Sequence, residues 1–105
     1  MSKIIQLRFY KKDLKEFQQR RQSKDINKLN NIISMLQCNQ IERIANSHSI
    51  ADPKLPDCRE CHINFDLLLI YKYDVKGNLL LVRLGSHDLL YKKSWKNRHM
   101  WLLKN

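Results

Sequence analysis

Two histidines and an aspartate stand beside three short apolar stretches. His62 lies in Cys58-Arg59-Glu60-Cys61-His62-Ile63, Asp66 opens Asp66-Leu67-Leu68-Leu69-Ile70-Tyr71, and His87 closes Arg83-Leu84-Gly85-Ser86-His87. An imidazole titrates near neutral pH, so two of them with a carboxylate can take one proton and deliver another. If the connection through Asn64 and Phe65 is a tight reversal, His62 and Asp66 meet at one end of a sheet. A strand ending near Leu84 runs antiparallel to one beginning at Asp66, which brings His87 to the same end. Cleavage of RNA through its 2′-hydroxyl needs little more. One group removes the 2′ proton, another protonates the departing 5′-oxygen, and cations stabilise the phosphate. That chemistry requires no metal and no other cofactor. The formal net charge of +10 suits a polyanion. A lone histidine at a strand end is more often a packing residue; convergence of three segments is what makes a site.

Other residues compete for attention. Cys58-x-x-Cys61-His62 spells a c-type haem attachment pattern, and with His48 it resembles half a zinc site. A second metal-binding pair is missing, and Cys58 and Cys61 on a strand would point to opposite faces. The three cysteines, Cys38 included, read most simply as small packing residues. Arg59 and Arg83 flank the candidate site and could each reach a phosphate or serve as sheet-edge charges. Lys11–Lys28 reads as a solvated helix face first and an RNA contact second. Trp95 and Trp101 read as packing for a C-terminal element, with base stacking as the alternative.

The 105 residues allow one domain with one core. A hydrophobic content of 43% excludes a disordered basic tail. Twenty Lys and Arg against ten Asp and Glu point to an anionic partner, RNA, DNA or an acidic protein. The cations crowd the ends: residues 1–28 hold nine, and residues 92–105 hold Lys92, Lys93, Lys96, Arg98 and Lys104 with no acid. No stretch approaches a membrane span and no secretory leader is recognisable, so no membrane partner is expected. An odd cysteine count argues against a disulfide framework, and a reducing cytoplasm is the expected compartment.

The elements that must position these residues follow from periodicity. Residues 3–9 alternate as a short strand. Residues 11–22 form a mostly solvated helix with Leu14 and Phe17 as its narrow apolar stripe. Ser23 or Asp25 caps a second helix, in which Ile26, Leu29, Ile32, Ile33 and Leu36 recur at helical spacing. Residues 37–57 read as a surface loop with one helical turn around Ile41–Ala45. Residues 58–63 form a strand, Leu67–Tyr73 a central strand covered on both faces, Asp74–Asn78 a hairpin loop and Leu79–Leu84 the last strand. The order β-α-α-β-β-β gives an α+β class, a small mainly antiparallel sheet packed against an N-terminal helical hairpin.

This pattern resembles the YafQ group of bacterial toxins within the RelE/ParE superfamily, over nearly the whole chain up to about Tyr91. The segments that carry the likeness are Lys11-Lys12-Asp13-Leu14-Lys15, Lys24-Asp25-Ile26-x-Lys28-Leu29, Arg59-Glu60-Cys61-His62-Ile63, Asp66-x-Leu68-Leu69-Ile70-Tyr71 and Arg83-x-Gly85-Ser86-His87-x-x-Leu90-Tyr91. The resemblance implies a compact RelE-like fold and a ribosome-dependent mRNA endonuclease. It implies neutralisation by a DinJ-type antitoxin, with operator DNA bound only through the antitoxin complex. It places His62, Asp66 and His87 on catalytic positions and Tyr91 on an aromatic position beside them. His87 is assigned as general acid, with His62 and Asp66 handling the 2′-hydroxyl proton. A further family histidine maps nearest to His48, one residue upstream and without the usual His-Pro-Leu-Lys-Gly context. The family's Pro-Asp-Trp is here Phe65-Asp66-Leu67, in which Phe65 could restore a stacking surface for RNA and Leu67 could not. Residues 92–105 form a basic, aromatic extension past the end of many relatives.

Three functions stay in play: an mRNA endonuclease; a RelE/ParE-fold protein that binds without cutting, such as a gyrase inhibitor or a degenerate copy; and a nucleic-acid-binding module acting through charge alone.

Overall fold

Strand β1 (Ile4–Gln6) leads directly into helix α1 (Arg8–Arg20) and helix α2 (Ser23–Gln37), followed by strands β2 (Ser47–Ser49), β3 (Arg59–Asn64), β4 (Leu67–Tyr73) and β5 (Leu79–Gly85). The computed structural model describes residues 3–20, 23–38, 47–49, 57–64, 66–86 and 90, and in residues 23, 24 and 47–49 the backbone only. The expected helical turn at Ile41–Ala45, together with Phe65, His87, Tyr91 and residues 92–105, lies outside the described residues.

The sheet runs β1-β5-β4-β3-β2, with β1 parallel to β5 and every other pair antiparallel. This is the α+β, RelE-like architecture expected, a mainly antiparallel sheet with two helices. Strand β4 lies at its centre, and Leu67 to Tyr71 are all buried, which requires cover on both faces. One face packs against the helices: Leu67, Leu69, Tyr71, Leu79, Leu81, Leu84, Cys61 and Ile63 meet Tyr10 and Phe17 of α1 and Leu29, Ile32 and Leu36 of α2. The other face holds a smaller cluster of Cys58, Leu68, Ile70, Val82 and Leu90, flanked by Leu7 and Phe9. Each large apolar side chain buried so completely contributes about 1.5–3 kcal/mol.

Helix α2 presents the stripe predicted for it, with Leu29, Ile32 and Leu36 buried and Ile26 and Ile33 partly so. Its far end is fixed by the Tyr73 hydroxyl, which donates to the Leu36 carbonyl at 2.6 Å. Helix α1 differs from expectation. It begins three residues earlier because the Leu7 N–H has already closed on the Leu81 carbonyl and the Lys11 N–H turns back to the Leu7 carbonyl. The strand foreseen over residues 3–9 is therefore only three residues long. The buried stripe of α1 is Tyr10, Asp13 and Phe17, with Leu14 at its margin.

The stretch 37–57 is not all loop. Ser47–Ser49 pairs with Arg59–Cys61 at the sheet edge, an extension too short and too polar for alternation to reveal. The Asp74–Asn78 hairpin loop forms as expected. Its Asp74 carboxylate accepts from the Lys76 N–H at 2.9 Å, the Asn78 N–H at 2.8 Å and Asn78 Nδ2 at 3.1 Å, while Gly77 supplies φ +82°. Those donors hold the Asp74 carboxyl below its usual pKa. Cys38 is a correction: it is exposed, whereas Cys58 and Cys61 are buried.

Candidate active site

Two irregularities in the sheet decide which way the candidate residues face. Between β3 and β4 the register moves from His62↔Leu68 to Asn64↔Leu67, two steps on one strand against one on the other. Ile63 and Asn64 therefore both turn toward the helices, as in a β-bulge. Between β4 and β5 the register moves from Ile70↔Arg83 to Tyr71↔Leu81, leaving Val82 as the extra residue. Val82 and Arg83 then share the face away from the helices, and Leu84 returns to the helix-side core.

In this register His62, Leu68 and Gly85 form one row across three strands on the face opposite the helices. Two inter-strand steps put the backbones of His62 and Gly85 roughly 10 Å apart, with the buried Leu68 side chain between them. His62 is half-buried, with Nδ1 turned out of water. Asp66 is exposed in the turn just before β4. The chain leaving β5 through Gly85 and Ser86 reaches this same end of the sheet. Of the predicted catalytic set, the structure describes the side chains of His62, on β3, and Asp66, in the turn that follows it. It describes the backbone of His48, paired with Glu60 at the sheet edge. His87 lies beyond the described residues.

The two arginines part company. Arg59 pairs with Tyr71 and so belongs to the helix-covered face, opposite His62. It sits near Tyr73, whose hydroxyl is pushed up to about 12 by burial first and by Tyr71 next, with Arg59 opposing. Arg83 lies on the face of His62, one row behind it. Its Nε donates to Asp13 Oδ2 at 2.7 Å and its Nη2 to Asp13 Oδ1 at 3.1 Å, while the guanidinium carbon stands 5.8 Å from the Phe9 ring centre. Asp13 Oδ2 also accepts the Leu84 N–H at 3.0 Å. Strand β1 stops pairing after Gln6↔Leu81, so beyond Leu81 the edge of β5 has no neighbouring strand in β1, and the Asp13 carboxylate takes that place.

Sequence reasoning missed two residues here. Asp13 looked like one charge among many in a solvated helix; its place three residues after Tyr10 and four before Phe17, on the buried stripe, was the available signal. In the sequence Asn64 reads only as part of a reversal. Its Oδ1 accepts the Asp66 N–H at 2.9 Å, and its Nδ2 contacts Asp25 Oδ1 at the start of α2 at a longer 3.4 Å.

Cys58 and Cys61 face opposite sides of β3, as alternation predicts, and so cannot grip one ligand together. Burial pushes their thiols up to about 11 and about 12. Among the described residues no three His, Cys, Asp or Glu side chains cluster as metal ligands, and no helix is long and apolar enough to cross a membrane. A groove of about 150 Å³ runs along the other side of the β5 end, lined by Asp13, Phe17, Leu67 and Leu84 with Glu16 and Arg20.

A helical hairpin on one face of a small mixed sheet, its last three strands antiparallel, defines a RelE/ParE-like toxin fold. The chain belongs to the YafQ family of bacterial toxins of type II toxin–antitoxin systems, whose model matches residues 2–92. YafQ in the E. coli DinJ-YafQ complex is 27% identical over 87% of this chain and 99% of that one, with a TM-score of 0.74. A metal-bound toxin from Helicobacter pylori is 32% identical over 87% of this chain and all of that one, also with a TM-score of 0.74. The YoeB/ParE toxin from Agrobacterium tumefaciens, 12% identical over 81% of this chain and 98% of that one, shares the fold with a TM-score of 0.70. Comparison with curated protein sequences returns no match.

Proposed function

We propose that this toxin is a ribosome-dependent mRNA endonuclease of the cytoplasm, held in check by a DinJ-type antitoxin that also carries the complex to operator DNA. The observation that carries the reading is the row His62–Leu68–Gly85, with Asp66 at the same end and His87 two residues past Gly85 in sequence. His62 and Asp66 take the proton from the 2′-hydroxyl, whose oxygen attacks the adjacent phosphorus. The phosphorus–5′-oxygen bond breaks, and His87 protonates the departing oxygen. The products are a 2′,3′-cyclic phosphate and a free 5′-hydroxyl, with no metal consumed or required. Arg83, on the face of His62 and braced by Asp13, is the phosphate contact favoured over Arg59, which stems from the other face. Phe65 and Tyr91 supply stacking surfaces for bases, and His48 is the remaining candidate for the site. The positive charge suits ribosomal RNA and an acidic antitoxin segment alike.

The non-cleaving alternative gains nothing from the loss of the family's tryptophan: Leu67 at that position is 2% exposed in the helix-side core, on the face away from His62.

The test is induction in a translating extract with mapping of mRNA 5′ ends, beside His87→Ala and His62→Ala. The expected result is in-frame cuts at ribosomes bearing 5′-hydroxyl ends, unaffected by chelator and reduced at least ~100-fold in either variant. Intact message with arrested growth would shift the assignment to the binding relative, with DNA gyrase assayed next.

A further inference from the structure

We propose that Asn64 is a positioning residue for Asp66, holding the turn between β3 and β4 in its working geometry through its side chain. The inference rests on the reading of Asp66 as part of the cleavage site.

Three observations converge on Asn64. The bulge at Ile63 swings it off the face of His62 and onto the helix side. There its Oδ1 accepts the Asp66 N–H at 2.9 Å, closing an Asx turn around the two-residue connection. Its Nδ2 reaches Asp25 Oδ1 at 3.4 Å, in the first turn of α2 and 39 residues away in sequence. The shorter bond sets the direction in which the chain presents Asp66. The longer one references that turn to the helical layer, so the Asp66 backbone is tied to both layers of the fold while the residue itself is exposed. A side-chain acceptor of this kind supplies the constraint that fixes a short connection.

A second uncharged acceptor at the same position gives the test. Wild type, Asn64→Ala and Asn64→Ser are assayed for ribosome-dependent cleavage, with amide hydrogen exchange at Asp66 and thermal melting on the same proteins. Removal of the acceptor should lower kcat about tenfold with KM held within about twofold, because orientation and not substrate affinity is lost. Asp66 amide exchange should accelerate in the same variant. Asn64→Ser keeps an acceptor for the Asp66 N–H without setting a second carboxylate beside Asp25, and should hold kcat within about threefold. Wild-type kcat in Asn64→Ala would overturn the proposal, as would a tenfold loss in an Asn64→Ser protein that melts like wild type. If wild type itself does not cleave, the nuclease reading fails, and Asp66 exchange still decides the turn: unchanged protection in Asn64→Ala would overturn it separately.

Discussion

Asp13→Ala should cost more stability than any other single charge removal among the described residues. The carboxylate is 8% exposed and accepts three bonds, from Arg83 Nε, Arg83 Nη2 and the buried Leu84 N–H. Its removal takes two charge-assisted bonds from a guanidinium that is 13% exposed and deprives the Leu84 N–H of its acceptor. Breaking a buried pair by losing one partner costs about 3–5 kcal/mol, and an unsatisfied buried N–H accounts for ~1–3 of that. Arg83 can relax along the Phe9 ring, which favours the lower half of the range, roughly 3–4 kcal/mol. Arg83→Ala leaves Asp13 its bond to Leu84, and the double variant strands only that N–H, so the two losses must be far from additive. Urea unfolding of the four proteins should give a coupling of about 2 kcal/mol with unchanged m-values. A coupling below ~0.5 kcal/mol, or a loss below ~1 kcal/mol for Asp13→Ala, would refute the brace.

The remaining predictions concern the thiols and pH. Under native conditions iodoacetamide should modify Cys38 alone, with Cys58 and Cys61 reacting only after urea; mass spectrometry showing either buried thiol modified in the folded protein would contradict their burial. Replacing Cys58 and Cys61 together by Ser should leave cleavage unchanged per folded molecule, and loss of turnover without loss of fold would reopen a role for the pair. Burial raises Cys58 to about 11, Cys61 to about 12 and Tyr10 to about 12, from ordinary values near 9 and 10. A raised folded pKa means stability present in full below the unfolded value and lost as pH climbs through the folded one. The urea midpoint should therefore hold steady to about pH 8.5 and decline between about pH 9 and 12; a flat profile to pH 11 would contradict it.

The order of elements was readable because α2 and β4 carry strong, unambiguous patterns: an apolar stripe at helical spacing and a fully apolar run. The hairpin announced itself through Asp74, Gly77 and Asn78. Strand β2 was not readable, since Ser47-His48-Ser49 owes its form to the edge of β3 and not to its own residues. The parallel pairing of β1 with β5 was equally silent, being a contact across the whole chain. At the candidate site, the residues with distinctive chemistry stand out in the sequence while those bonded around them do not. Asp13 and Asn64 are common surface types, and only their partners 70 and two residues away reveal what they do. Arg59 and Arg83 looked equivalent in sequence because one alternation step and two bulges, none of them visible as composition, decide which face each occupies.

The pairing of Ile4–Gln6 with Leu79–Leu81 has a bearing on how the toxin comes into being. Among the described elements the strand made earliest docks beside the one made latest, and Leu7 and Leu79 donate backbone bonds to Leu81 and Lys3. Until β5 has been made, β1 has no neighbour, Asp13 lacks both of its donors, and one side of β4 stands open. An emerging chain thus holds helices and a partial hairpin but no finished sheet, and long-range closure of this kind is slow relative to local structure. Birth order itself delays the finished toxin: the sheet closes only after Leu79–Gly85 has been made, and an antitoxin already present meets each molecule as that closure first occurs.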